Sequence, residues 1–496
     1  MFGGAATNTG SDANATTSKT TTPAATTTTT SASAATPTST ATDARDLLNL
    51  GGAAAAPPPL WSDVAPEDPL RIGGQLYWRL MSAAGQGEEP QNWRLSAPAL
   101  LDVYMDARPN DRVRAFVLGR MFYDPTLPPE GATGPEVGNP QSSDSTTVDL
   151  LSQPTRGPNV VLDQIWLRFD LLRRVFVTAG KQHVRWGTAR FWTPTDYLHM
   201  QPRNPLLPFD ARAGVTMLKL HVPWEERGWN LYAYVSPENV DATSSFTLRR
   251  VAAAARAEVV LGTLEAGVGV FGRNDSKAKF AGDVSFGVWD LDFYGEVAVR
   301  NAGDVDFIHY QGAPAVCASP TDSLADLAPY YTIARGSGWK AQTTGGLSYT
   351  RQYADKDTFT IGAEYFYNGL GYSSVKDYLG LFAFSPAMEQ PASFFYLGRQ
   401  YVGVFATAPA PYSWDLHTFT LSTLANLTDQ SGITRFDYSY TLLTHIRFEA
   451  YAAVHWGQRN GEFRLGFNPA DLPCPTDLPP HAPSLFDLGV GLRVAI

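Results

Sequence analysis

Alternation between apolar and polar side chains runs through this chain from residue 70 to its C-terminus, and it constrains the fold more than any other feature. Within residues 161–171, Ile165 and Leu167 share one parity, whereas Arg168 and Asp170 share the other. A period of two is typical of a β-strand with one apolar and one charged face. The pattern therefore predicts a protein built from long, two-faced strands.

The connections between the alternating runs fall into two sets. Counted back from the last run, one set holds the short turns and the other holds the long connections 125–158, 187–211, 301–337, 369–395 and 458–483. Short turns at one end and long loops at the other are typical of transmembrane β-barrels. The eighteen predicted strands lie near 70–82, 93–107, 111–124, 159–172, 174–187, 212–223, 228–238, 247–261, 263–273, 277–289, 290–301, 338–352, 357–368, 396–408, 413–427, 433–443, 446–457 and 484–496.

We therefore predict an all-β fold, a transmembrane antiparallel β-barrel of about 18 strands, for residues 60–496. Closing the sheet satisfies the backbone hydrogen bonds that lipid cannot satisfy. Aromatic residues make up 12% of the chain and charged residues only 17%, a balance that suits a wall between lipid and a polar interior. No window approaches the roughly 20 consecutive apolar residues of a membrane helix. A soluble secreted β protein, with its charged face outside, is the alternative.

Residues 180–196, GKQHVRWGTARFWTPTD, carry a family resemblance. This segment resembles one found in porin-like outer-membrane β-barrels of Gram-negative bacteria, the broad group that includes alginate-export-like channels. The resemblance implies a barrel in the bacterial outer membrane, with this segment at the wall and in the constricting loop that follows it. It says little about the transported substrate.

The first 59 residues form a Thr/Ala/Ser/Pro-rich tail, which we predict to be disordered because it has too few apolar residues to offset chain entropy. The tail is either a tether toward a periplasmic partner or an inert linker. Met1 leads into this tract without a positive region followed by an apolar one. Since an outer-membrane protein must cross the inner membrane, we expect a signal peptide upstream of this start or already removed.

Charge and cysteine usage exclude several function classes. The net charge is −10 and the positive residues are scattered, so no nucleic-acid partner is expected. Isolated histidines without a nucleophile motif do not indicate an enzyme, and neither a cofactor nor a metal site is implied. The two cysteines, Cys317 and Cys474, lie in loops at the same end of the predicted barrel, where they form either a disulfide or two free thiols.

The charged face of the strands is predicted to line the lumen. On this face we count more arginines than acids, which favours small anions as solutes. The alternative is that arginines and acids on neighbouring strands neutralise each other and brace the wall. The wall residues singled out for this role are Arg168, Asp170, Asp292, Glu296 and Arg300.

The loop after the fifth strand is the predicted constriction. It combines charged groups, aromatic rings and prolines, which would set a transverse field and resist collapse. Its aromatics are either a surface for solutes or an interfacial girdle, and His183 is more simply a wall histidine than a ligand. The candidate constriction residues are Lys181, His183, Arg185, Trp186, Arg190, Trp192, Asp196, Arg203, Asp210 and Arg212.

Two positions near this loop break the alternation. Asp163 is out of step with its strand, and the residues on either side of Gly180 change character on one face. A β-bulge near Gly180 would restore the register of the second strand.

The function predicted from these features is a porin-like channel for passive diffusion of small polar or anionic solutes, embedded in outer-membrane lipid. The alternative is a structural barrel that anchors an envelope-spanning adhesion, motility or secretion assembly. Association into a homo-oligomer is left open.

Overall fold

A computed structural model describes most of the chain beyond residue 68. The predicted tail and the boundary at residue 59 lie outside the described residues. Those residues are 69–126, 158–199, 202–207, 212–237, 251–274, 276–314, 317, 324–353, 357–384, 393–474, 476–477 and 480–495.

Strands make up most of the described residues, which also include one α-helix, α1 (Lys376–Phe384), in a loop. Within the described residues no helix is long and apolar enough to span a membrane. The strands are β1 (Leu70–Gly85), β2 (Arg94–Ser96), β3 (Ala99–Asn110), β4 (Val113–Tyr123), β5 (Asn159–Leu171), β6 (Val175–Gln182), β7 (Val215–Trp224), β8 (Trp229–Ser236), β9 (Ala252–Leu261), β10 (Leu264–Arg273), β11 (Ser276–Val288), β12 (Leu291–Asn301), β13 (Asp306–Tyr310), β14 (Tyr331–Arg335), β15 (Trp339–Gln352), β16 (Thr358–Asn368), β17 (Gln400–Pro409), β18 (His417–Asn426), β19 (Ser431–Leu443), β20 (Ile446–Gly457) and β21 (Ser484–Ala495).

In the described part of the chain, eighteen of these strands form a closed antiparallel barrel. Each wall strand pairs with its neighbours in the chain, and β1 closes the barrel by pairing with β21, with Tyr77 opposite Arg493. The predicted fold is confirmed, and each predicted strand overlaps one wall strand. The short strand β2 adds to the end of β1, and β13 and β14 form a separate hairpin.

The two ends of the barrel differ as predicted. Connections such as residues 172–174, 262–263 and 289–290 are tight turns at one end. The long connections all leave the other end, where β10–β11 and β18–β19 are the short exceptions. We call these the short-turn end and the long-loop end.

The two faces of the wall are also arranged as the barrel prediction requires. On β21, Leu488 and Val490 are 44% and 43% exposed on the outside, whereas Asp487 and Arg493 are 2% and 4% exposed inside. Charged residues inside and apolar residues outside invert the arrangement of a soluble β-sandwich. The outer face is therefore suited to lipid.

Aromatic residues collect at both edges of this apolar face. Near the short-turn end, Trp289 is 95% exposed, and Trp224 and Trp414 are also exposed. Near the long-loop end, Trp339 and Trp456 are exposed on the outside. Two aromatic girdles flanking an apolar band are typical of barrels that span a bilayer.

The described residues of three long loops form a compact cap at their end of the barrel. Its first segment is residues 302–314, 317 and 324–338, its second is 369–384 and 393–399, and its third is 458–474, 476–477 and 480–483. The β13–β14 hairpin packs on helix α1 through Ile308, Tyr331 and Leu381, all buried. Cys317 and Cys474 form a disulfide, which joins the first and third segments of the cap. Neither the hairpin nor the helix is predicted by the alternation, because both lie in stretches without a period of two.

Two buried acids fasten the cap to the top of the wall. Asp429 accepts hydrogen bonds from the Glu462 backbone N–H at 2.8 Å and from Ser431. The Glu462 carboxyl group receives the Tyr401 hydroxyl at 2.6 Å and the Asn426 amide at 2.8 Å. The third segment of the cap is thus bound to strands β17, β18 and β19 by one polar cluster.

This cluster predicts a pH-sensitive cap. Burial, and then the nearby charge of Asp429, raise the pKa of Glu462 to about 8, and burial also raises the pKa of Asp429. Because an unfolded glutamate titrates near 4.5, the folded state holds an extra proton between these values. The stability this proton contributes is complete below about pH 4.5 and is lost as the pH rises through about 8.

We therefore expect amide exchange around Glu462, corrected for intrinsic rates, to become faster between pH 6 and pH 9. The neutral variant Glu462→Gln should show little pH dependence, because it has no proton to lose. Hydrogen exchange with mass spectrometry measures both proteins, and identical pH profiles would contradict the role of this carboxyl group.

Candidate functional site

The described residues of the loop between β6 and β7, which are 183–199, 202–207 and 212–214, enter the barrel instead of the cap, and we call them the lumen loop. β6 ends at Gln182, earlier than the predicted strand. Its pairing with both neighbours runs without a shift through Lys181, which lies opposite Ile165 and Thr216. The bulge predicted near Gly180 is therefore wrong. Lys181 still belongs to the strand and lies on its outer face, whereas His183 and Arg185 follow the end of the strand and belong to the loop.

The bulge lies instead at Asp163. The register between β4 and β5 shifts so that Leu118 pairs with Gln164 and Gly119 with Leu162, which leaves Asp163 unpaired. An extra residue of this kind turns its side chain away from the regular alternation. The Asp163 carboxylate is fully buried within the barrel, which explains why this residue is out of step in the sequence.

Asp163 holds both ends of the lumen loop. Its carboxylate receives the backbone N–H of Gly214 at 3.1 Å and lies 3.2 Å from Nε2 of His183. Arg120 lies 3.4 Å away and supplies a compensating charge. A side chain at Gly214 would collide with the Asp163 backbone, so glycine is required there. His183 is thus a histidine bound to the wall, as the simpler interpretation has it.

A second carboxylate, Glu296 of β12, binds the part of the loop that follows Trp186. It accepts the backbone N–H groups of Thr188 and Ala189, both at 2.7 Å, and the hydroxyl of Thr195 at 2.7 Å. Gly187 has φ +94°, and a side chain there would collide with the Glu296 carboxylate. The Trp-Gly pair of the resemblance segment therefore permits this close approach.

A third carboxylate, Glu364 of β16, binds the next turn of the loop. It accepts the N–H groups of Arg190, Phe191 and Trp192 at 2.9, 3.2 and 2.8 Å, and the Tyr294 hydroxyl at 3.0 Å. Counted around the wall from β6, β12 is the sixth strand and β16 the eighth of eighteen. The lumen loop therefore crosses the barrel to the far wall.

The loop aromatics form a packed core inside the barrel. Trp192 is fully buried, stacks on Phe366 with ring centroids 5.6 Å apart, and donates from Nε1 to the Phe395 carbonyl at 3.0 Å. Trp186 is 1% exposed and packs on Tyr234 of β8 in a separate buried cluster. Both interpretations of these tryptophans from sequence are wrong, since buried rings offer no surface to a solute or to lipid.

The predicted loop charges fall into three groups, namely residues buried within the loop, one residue on the outer face, and two arginines that remain accessible. Asp196 and Arg212 form a buried ion pair of 3.0 Å that also binds His199, and Arg203 is buried as well, so these residues stabilise the loop. Lys181 shares a register position with the exposed Ile165 and lies on the outer face, which corrects its assignment to the constriction.

Arg185 and Arg190 are the cations of the loop that keep access to the interior. Arg185 is exposed and donates to the Ala189 carbonyl at 3.1 Å. Arg190 is partly exposed, and its guanidinium lies 3.8 Å from the centre of the Phe405 ring. Asp210 lies outside the described residues.

The wall charges are mostly neutralised by ion pairs. Asp170 is buried and receives Arg112 at 2.9 Å, whereas Asp292 is exposed at an inward position and Arg300 is buried. The excess of arginines over acids predicted for the inner face is too large, because the prediction leaves out several inward acids. Asp102 binds Arg120 at 2.6 Å, Asp106 binds Arg114 at 2.8 Å, and Asp283 binds Arg256 at 2.6 Å. The bracing alternative describes these contacts.

A small cavity lies on the wall of β1, β19, β20 and β21, beside the aromatic core, which reaches Ile433 and Ala453. It is lined by Tyr77, Arg79, Arg435, Asp437 and Tyr451, among others. Arg435 is paired with Asp437 at 2.7 Å and lies 4.0 Å from the Tyr451 ring centre. Within the described residues no group of three or more His, Cys, Asp or Glu side chains is arranged to hold a metal ion.

Comparisons with known proteins find similarity at the level of structure. No family model matches the chain, and no curated protein matches its sequence. OccAB1 of Acinetobacter baumannii is 11% identical over 86% of this chain and 96% of its own, with a TM-score of 0.48. OccAB4 of the same organism is 8% identical over 87% and 99%, with a TM-score of 0.46. A triple mutant of the Rhodopseudomonas blastica porin is 10% identical over 86% and 100%, with a TM-score of 0.38. The fold described above follows from the strand pairing of this chain alone.

Proposed function

We propose that this protein is a porin-like channel of the bacterial outer membrane, through which small polar or anionic solutes diffuse passively. The observation that carries the proposal is the arrangement of the closed barrel, apolar outside between two aromatic girdles and charged inside. An interior lined by charges favours water over lipid, and an eighteen-strand barrel is wide enough to hold an aqueous channel.

The position of the lumen loop supports a narrow passage in this channel. The loop packs against β16 to β20 through a dry aromatic core, so solutes would follow the part of the interior that this core leaves open. Arg185 and Arg190 lie on the loop itself and would face this passage. We infer that they set the charge at its narrowest point.

Location and partners follow from the same proposal. Lipid would contact the outer face, the long-loop cap would face outside the cell, and the N-terminal tail would be the site for any periplasmic partner. Association into a homo-oligomer would use the same outer face.

Single-channel current of the refolded protein in a planar bilayer under a salt gradient tests the channel. We expect stable open steps, with a reversal potential that shifts toward cations when Arg185→Glu and Arg190→Glu are combined. An unshifted potential would remove both residues from the passage. Silence from a protein that shows the heat-dependent gel mobility of a folded barrel would contradict the channel.

A further inference from the structure

Three inward cations stand in one row across neighbouring strands near the short-turn end. Arg114 of β4 lies opposite Arg168 of β5, Arg168 opposite Thr178 of β6, and Thr178 opposite Lys219 of β7. Residues opposite one another in an antiparallel sheet point to the same side. The row therefore places like charges side by side on the inner face, which is unfavourable unless something neutralises them.

Only the first cation of this row has a carboxylate partner. Arg114 makes a two-point contact with Asp106, at 2.8 and 3.0 Å. Arg168 donates from Nε to the Thr178 hydroxyl at 3.2 Å and lies 5.2 Å from the Trp166 ring centre. Lys219 lies 5.1 Å from the Tyr232 ring centre. Within the described part of the chain, no acid lies within ion-pair distance of Arg168 or Lys219.

The acid whose charge acts on Lys219 is already bound to another cation. Glu258 influences Lys219 electrostatically, but its carboxylate is bound to Arg256 at 2.8 Å. The surrounding cations show the contrast, because Arg112, Arg120 and Arg256 each bind an acid. These three arginines are thus neutralised, whereas the two adjacent cations Arg168 and Lys219 are not.

The spacing of these two cations suits a small anion. Neighbouring strands lie about 4.8 Å apart, so the Arg168 and Lys219 backbones are separated by about 10 Å across Thr178. Both side chains are partly exposed, so a solute in the lumen can reach them. A guanidinium binds carboxylate or phosphate oxygens through two parallel N–H groups, and an ammonium adds a third donor.

We propose that Arg168, Lys219 and Thr178 form a binding site for the carboxylate or phosphate group of a permeating solute. The aromatic rings of Trp166 and Tyr232, which already contact the two cations, would flank the bound group. This inference rests on the proposed channel function and gives its anion preference a defined place. After passing the lumen loop, a solute would replace part of its bound water with these hydrogen-bond donors near the short-turn end.

The test compares Arg168→Gln, Lys219→Gln and the double variant with a matched control. Lys181→Gln removes the same charge from β6, next to this row, but on the outer face. We use acetate and inorganic phosphate separately, as the anion in the salt gradient and as an additive to chloride. The double variant should lower the anion-to-cation permeability ratio, because it removes two charged donors. It should also raise about tenfold the concentration of acetate or phosphate at which the additive has half its maximal effect on the chloride current. Lys181→Gln should behave like the wild type.

A larger effect with acetate than with phosphate would identify carboxylates as the solutes, and the reverse would identify phosphates. An equal change in the Lys181→Gln control, or none in the double variant, would overturn the site.

Equilibrium dialysis of labelled acetate and phosphate against the folded barrel separates this inference from the channel itself. If the wild type conducts no current, the channel proposal fails. Binding by the wild type that the double variant loses would still support the site, and equal binding by both would refute it.

Discussion

Removing the two carboxylates that hold the lumen loop, with Glu296→Ala and Glu364→Ala combined, is expected to raise single-channel conductance about twofold or more and to make the open current noisy. Together these acids accept five backbone N–H groups of the loop at 3.2 Å or less. A hydrogen bond contributes roughly 0.5–1.5 kcal/mol, so losing five of them should loosen this part of the loop. The loop should then sample positions closer to its own side of the barrel.

Asp292→Ala provides the control for this experiment. Asp292 is an exposed acid on the same strand and face as Glu296, and among the described residues it makes no hydrogen bond or ion pair with the lumen loop. It should change selectivity slightly and leave the conductance level and noise unaltered. A folded double variant with wild-type conductance would show that the aromatic core alone holds the loop.

The second large effect is expected from Trp192→Ala. Its ring is fully buried between Phe366 and Tyr401, with centroids 5.6 and 5.5 Å away, and truncation leaves a cavity that the barrel wall cannot fill. Replacing a buried aromatic residue with alanine destabilises a protein by about 3–5 kcal/mol. We expect a loss of this size in the free energy of unfolding, measured by denaturant titration in detergent micelles.

Trp289→Ala is the matched control, because Trp289 is 95% exposed in a short turn. Its free energy of unfolding in detergent should change by less than about 1 kcal/mol. Similar losses in both variants would mean that the core around Trp192 adds little to stability.

The sequence predicts the wall of this protein better than its interior. Alternation identifies each wall strand because one face must meet lipid and the other must not, so every residue carries information about its side. Asp487 and Leu488 are assigned correctly for this reason. Lys181 is misplaced because its charge groups it with the loop that follows, although it shares the parity of Ala179 and lies within the strand.

The loop anchors depend on contacts that sequence spacing cannot supply. Glu296 is a candidate because it lies on the charged face, but its partners at 188, 189 and 195 are about 100 residues away. Glu364 carries the same signal, an inward acid in an aromatic strand, and is missed because the course of the loop decides which acids it meets. Asp163 shows that a break in the pattern can identify an important residue without identifying its partners.

The bulge at Asp163 bears on how the interior of this barrel can vary. Because one carboxylate binds both His183 and Gly214, the lumen loop begins and ends at the same point of the wall. No strand has to move when the chain between these two residues is lengthened or shortened. Insertions that leave the contacts with Glu296 and Glu364 in place would change how much of the interior the loop fills, while the wall stays the same.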